Sequence, residues 1–199
     1  MKKALFLSLF CYLTSLFAAG NPEAGKQKSI SCAACHGANG QSTNPEWPSL
    51  AGQHADYLIK QLIYFKEGKK RNAALMAAPV ADLTLQDMQD LAAYYSQQPL
   101  PVGYTPKNHL KKGEALYRGG DFDKHISACI ACHGPQGLGN AQADFPALSG
   151  QEPLYVIQTL EDYRNGTRSS DLNHIMRDIS SRMSKEDMEA VAYYVAGLH

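Results

Sequence analysis

Residues 31–37 read SCAACHG and residues 128–134 read ACIACHG. Each copy holds two cysteines separated by two residues, with a histidine directly after, and the copies lie 97 positions apart. Two thiols and an imidazole at this spacing suit four kinds of chemistry. A disulfide framework would pair cysteines across a fold, but cysteines one helical turn apart make poor staples. A thioredoxin-type redox pair needs a strand–helix–strand setting, of which the flanking sequence gives no sign. A zinc site needs four ligands, and each copy offers two thiols and one neighbouring imidazole.

The fourth chemistry is covalent attachment of a c-type haem. Two thiols one turn apart add across the two vinyl groups of a porphyrin, and the adjoining histidine gives iron one axial nitrogen. That reading assigns thioethers to Cys32, Cys35, Cys129 and Cys132, and an axial role to His36 and His133. It also accounts for the cysteine count. Of five cysteines, only Cys11 stands outside the two motifs, and Cys11 falls in a leader.

Lys2 and Lys3 begin that leader, Ala4 to Phe17 is largely apolar, and Ala18, Ala19 and Gly20 supply small residues. This is the layout of a signal peptide over residues 1–19, cleaved near 18–20. Ser8, Thr14 and Ser15 interrupt an apolar run already short for a membrane span. Phe10 before Cys11 does not suit a lipid-anchored cysteine. The mature chain is therefore expected to be exported. The whole chain carries 19 basic and 19 acidic residues, without the basic surplus of a nucleic-acid binder.

The second axial ligand separates a carrier from an enzyme. Methionine closes the iron and suits electron transfer, whereas an open position invites substrate. Two methionine pairs recur at an offset of 100: Met76 with Met176, and Met88 with Met188. Met88 and Met188 fall inside amphipathic segments and read as core filler. Met76 and Met176 lie ahead of those segments, where a less regular chain is expected to reach a haem face. They are the expected sixth ligands. His54 and His174 are the rival ligands, but Glu152 and Ala74 stand at their matched positions, so neither is duplicated.

The elements that must position these groups are themselves repeated. PSLAGQHADYL (48–58) answers PALSGQEPLYV (146–156), Gly68 answers Gly166, and LTLQDMQDLAAYY (83–95) answers MSKEDMEAVAYYV (183–195). Asn21-Pro22-Glu23, Thr84-x-x-Asp87 and Ser184-x-x-Asp187 read as helix starts. Leu58, Leu62 and Phe65 recur at helical spacing, and Gly68 ends that segment. Strand signals are nearly absent. QQPLPVGYTP (97–106), with three prolines and a glycine, reads as an extended linker. Helices this few, joined by loops this long, give each module a thin core that a large apolar cofactor would complete. Tyr57 and Tyr155 match across the repeat and read as core. Lys66, Lys69, Lys70 and Arg71 read as a solvated helix end, or as a surface that steers an acidic redox partner.

Together these features resemble the dihaem cytochrome c4 family: two C-x-x-C-H modules, P-x-L-x-G-Q after each motif, a ligand-type methionine and a terminal A-Y-Y helix. The resemblance runs from Asn21 to His199. It implies an all-α fold of two tandem class I cytochrome c domains about a pseudo-twofold axis, each wrapped around a covalent haem c. With the linker at 99–106, the domains span 20–98 and 107–199. The family's members are periplasmic one-electron carriers with no catalytic group of their own, often loosely attached to the inner membrane. That implies redox-protein partners: an upstream quinol-oxidising complex and a terminal oxidase. The resemblance also implies that the carbonyls of Pro48 and Pro146 accept a hydrogen bond from Nδ1 of His36 and His133. An electron-accepting subunit of a sulfide-oxidising flavocytochrome c would share this architecture.

Overall fold

The computed structural model describes residues 20–199, so the expected signal peptide lies outside the described residues. Among the described residues there are helices and loops, with no strand beyond two isolated bridges, Asp121–Ile126 and Asn140–Phe145.

The first module opens with α1 (Pro22–Lys28). Its start follows from local chemistry: the Asn21 side chain accepts hydrogen bonds from the N–H groups of Glu23 and Ala24, and Pro22 occupies a position where no donor is lost. A 3-10 turn over Ser29–Ser31 leads into α2 (Ala33–His36), a single turn carrying Cys35 and His36. A loop then returns the chain to α3 (Ala55–Glu67), which ends at Gly68 in the left-handed region, φ 65°. A short helix, α4 (Ala74–Val80), precedes α5 (Leu85–Ser96). Thr84 and Asp87 cap α5 reciprocally, each side chain taking a hydrogen bond from the other's N–H.

The second module repeats the order with α6 (Lys107–Gly119), α7 (Ile130–His133), α8 (Pro153–Asn165), α9 (Ile175–Ser181) and α10 (Lys185–Ala196). Gly166 ends α8 as Gly68 ends α3, and Ser184 with Asp187 repeats the capping box. Residues 99–106 hold no helix. They are nevertheless seated, because Pro101 lies against Gly150, Gly103 against Ala196, and Thr105 against Gly197.

In each module the first helix crosses the last, α1 on α5 and α6 on α10. Leu58, Leu91, Ala92 and Tyr95 form the first core, with Cys32 packed against it. The second core is larger, holding Tyr117, Val156, Leu160, Met188 and Val195, with Cys129 and Met176 against it. Met88 and Met188 are buried in α5 and α10, as core filler should be.

Met76 and Met176 depart from the expected irregular chain. Both lie on helices, α4 and α9, which are too short to declare themselves by periodicity and which pack on α3 and α8.

Candidate haem sites

The C-x-x-C-H stretch folds as one helical turn in both copies. The N–H of His36 donates to the Cys32 carbonyl at 3.0 Å, and that of His133 to the Cys129 carbonyl at 2.9 Å. Gly37 and Gly134 then leave the turn with φ of 78° and 77°, a region that favours glycine. The turn therefore presents two thiols and an imidazole and stops. None of the four cysteines is paired in a disulfide, in keeping with their poor geometry as staples.

Both imidazoles are 7% exposed. Nδ1 of His36 donates to the Pro48 carbonyl at 2.8 Å, and Nδ1 of His133 to the Pro146 carbonyl at 2.9 Å. A carbonyl can only accept, so the proton sits on Nδ1 and Nε2 keeps its lone pair. Burial pushes both imidazoles below the ordinary histidine value. The proline carbonyls act against this, and the Arg71 charge reinforces it at His36. A neutral ring with Nδ1 tied and Nε2 free is the form that binds a metal.

Met76 and Met176 are half-buried on α4 and α9. His174 is exposed, with φ 62°. His54 lies in the loop just before α3, half-buried, with its Nε2 buried and without a hydrogen-bond partner. Among the described residues, no three His, Cys, Asp or Glu side chains gather as a metal-binding group.

Of the basic residues at the end of α3, Lys66, Lys69 and Lys70 stay exposed, and Arg71 alone leaves solvent. Arg71 turns into the boundary between the modules, donating to the Tyr155 hydroxyl at 2.7 Å and to Gln61 at 2.9 Å. From the second module Arg168, 3% exposed, donates to the Tyr57 hydroxyl at 2.8 Å and to Gln61 at 3.0 Å. The two matched tyrosines therefore each receive an arginine from the opposite module. Neither guanidinium has a carboxylate partner among the described residues. Burial would push the Tyr155 hydroxyl up, but Arg71 and Arg168 override it and lower it to about 7. A buried cation without a counter-ion is costly, so this boundary fits a group that brings its own carboxylates, as haem does.

No local signal marks Arg168 for the boundary, because its partners there, Tyr57 and Gln61, lie more than 100 positions away. Its role follows only from the approach of the loop after α8 to Tyr57 and Gln61 on α3.

Comparison with known proteins agrees with this geometry. The cytochrome c family model matches twice, over residues 22–98 and 110–199. Cytochrome c4 of Pseudomonas aeruginosa is 43% identical over the whole of this chain and 99% of its own length. A thiosulfate dehydrogenase electron acceptor of Thiomonas intermedia is 37% identical over 95% of this chain and 86% of its own. The crystal structure of reduced cytochrome c4 from Pseudomonas stutzeri is similar with a TM-score of 0.88 at 43% identity, covering 91% of this chain and 100% of that one. The duplicated motif and these matches along the chain place the protein in the cytochrome c4 family, as an electron-transfer protein that binds two haem c groups covalently.

Proposed function

We propose that the protein is a periplasmic carrier in a respiratory chain, exported by residues 1–19, fed by a quinol-oxidising complex and donating towards a terminal oxidase. Its two domains span 20–98 and 107–199, joined by 99–106. Cys32 and Cys35 hold one haem and Cys129 and Cys132 the other. His36 with Met76, and His133 with Met176, ligate the two irons.

The observation that carries this reading is the matched pair of buried neutral histidines, each with Nδ1 tied to a proline carbonyl and Nε2 free. The bound haems supply a reversible one-electron change at iron. The chain's own groups hold the imidazoles in one orientation and tautomer, which raises their basicity. A methionine thioether in the sixth position favours electron transfer over substrate binding. Arg71 and Arg168 would supply guanidinium donors to haem carboxylates at the boundary. Among the described residues no helix is long and apolar enough to cross a membrane.

Membranes containing the terminal oxidase test the respiratory role. Reduced protein should be reoxidised with matching oxygen uptake; uptake no faster than without the protein contradicts the role. A second reading follows from the 37% identical relative named as a thiosulfate dehydrogenase electron acceptor. On that reading, thiosulfate and its dehydrogenase reduce this protein at catalytic rates, whereas a quinol-oxidising complex does not.

A further inference from the structure

The P-x-L-x-G-Q stretch ends in Gln53 in the first module and Gln151 in the second. Both are buried, at 6% and 8% exposed. Each amide reaches across the boundary to the other module. Gln151 donates through Nε2 to the Ser49 carbonyl at 3.0 Å and accepts the Ser49 N–H at Oε1, at 2.8 Å. Gln53 makes the same pair with Ala147, at 3.0 and 2.9 Å. Each Oε1 also accepts the N–H of its own following residue, His54 or Glu152, at 3.0 Å. The arrangement is reciprocal because Ser49 and Ala147, like the two glutamines, are 98 positions apart.

The partner peptides are not arbitrary. The Ser49 N–H belongs to the same peptide group as the Pro48 carbonyl, which accepts the His36 proton. The Ala147 N–H belongs to the group whose Pro146 carbonyl accepts the His133 proton. A continuous run of hydrogen bonds thus links His36, the Pro48–Ser49 peptide and Gln151. Its mirror links His133, the Pro146–Ala147 peptide and Gln53.

We propose that Gln53 and Gln151 are crossed positioning residues, each setting the donor strength of the axial histidine in the opposite module through the shared peptide group. The proposal rests on His36 and His133 being the axial ligands. Hydrogen bonds in series polarise one another, and a low-dielectric setting strengthens the effect. An acceptor on a peptide N–H draws electron density to the carbonyl oxygen, which then holds the Nδ1 proton more strongly. A ring whose Nδ1 proton is held more strongly is more basic at Nε2 and favours oxidised iron. Docking of the two modules therefore enters the reduction potential of both.

Gln53→Met and Gln151→Met in the haem-loaded protein test this, since methionine keeps length and removes the amide. Redox titration followed by NMR resolves the two haems. Gln151→Met should raise the potential of the first-module haem alone and shift the His36 Nδ1 proton resonance. Gln53→Met should do the same for the second-module haem and His133. Changes confined to each variant's own module, equal changes at both haems, or no change would overturn the proposal. If the methionine variants fail to fold, Gln151→Glu and Gln53→Glu retain an acceptor oxygen. They should show the same crossed pattern with the potential lowered; an uncrossed pattern again overturns it. A histidine ring without haem-induced shifts in the unmodified protein would instead fault the ligand assignment, so the two failures are distinguishable.

Discussion

The backbone of Gly25 lies directly against the carbonyl of Asp90: a Cβ built on the glycine would stand 1.9 Å from that oxygen. Gly113 meets the Ala190 carbonyl in the same way, at 2.3 Å. These two contacts let α1 cross α5, and α6 cross α10, at backbone distance. Alanine is a better helix former than glycine by about 1 kcal/mol, so on propensity alone the substitution should stabilise. The contact reverses that sign. Gly25→Ala and Gly113→Ala should each destabilise by about 1–3 kcal/mol, the usual range for overpacking, measured by guanidinium unfolding of the haem-loaded protein.

Arg168 offers a test of the boundary between modules. Its guanidinium reaches the Tyr57 hydroxyl, Gln61 and the Ser170 hydroxyl, and stacks 4.7 Å from the centre of the Tyr163 ring. Lysine keeps the charge but is a single point with no planar fork. Arg168→Lys should therefore fail to rescue, losing about 1–3 kcal/mol for each buried acceptor left unmet. Thermal unfolding of Arg168→Lys and Arg168→Met side by side reads this; a lysine variant as stable as the unmodified protein would contradict it.

Acid should act on the first module through Asp90. Lys28 at 2.7 Å, and then the Asn21 N–H at 2.8 Å, hold its carboxyl down at about 2. A carboxyl depressed in the folded state stabilises fully above its ordinary value of about 4. That contribution is lost as pH falls from there towards the folded value. Asp90→Asn should be less stable than the unmodified protein near neutrality, and the gap should close between about pH 4 and pH 2. Helical circular dichroism followed through an acid titration of both proteins measures it.

Local features of the fold were legible in the sequence, and long-range ones were not. Asn21, Thr84 and Ser184 could be read as caps because each acts on N–H groups two or three residues away. The C-x-x-C-H turns were legible for the same reason. Gln53 could be placed in a repeated motif, but its partner Ala147 lies 94 positions away and is set only by docking. Arg71 sits among lysines in the sequence, which suits a solvated helix end or a steering surface, whereas the boundary takes it as a donor to Tyr155.

One substitution hid itself by moving between helices. Tyr95 on α5 lies beside Cys32, and Tyr117 on α6 lies beside Cys129. Val195 stands at the position matching Tyr95. Aligning Gly25 with Gly113 puts Ser29 opposite Tyr117. Each module thus supplies one buried tyrosine near its first cysteine, from opposite ends of the repeat. A position-by-position comparison scores this as two mismatches, although the packing is compensated.

The central claim is that each iron is closed by one histidine and one methionine, and optical spectra of Met76→Ala and Met176→Ala in the oxidised protein test it most directly. Each single variant should lose about half of the thioether–iron absorption, the double variant all of it, and each opened iron should then bind carbon monoxide when reduced. A thioether–iron band unchanged in either single variant would contradict the assignment.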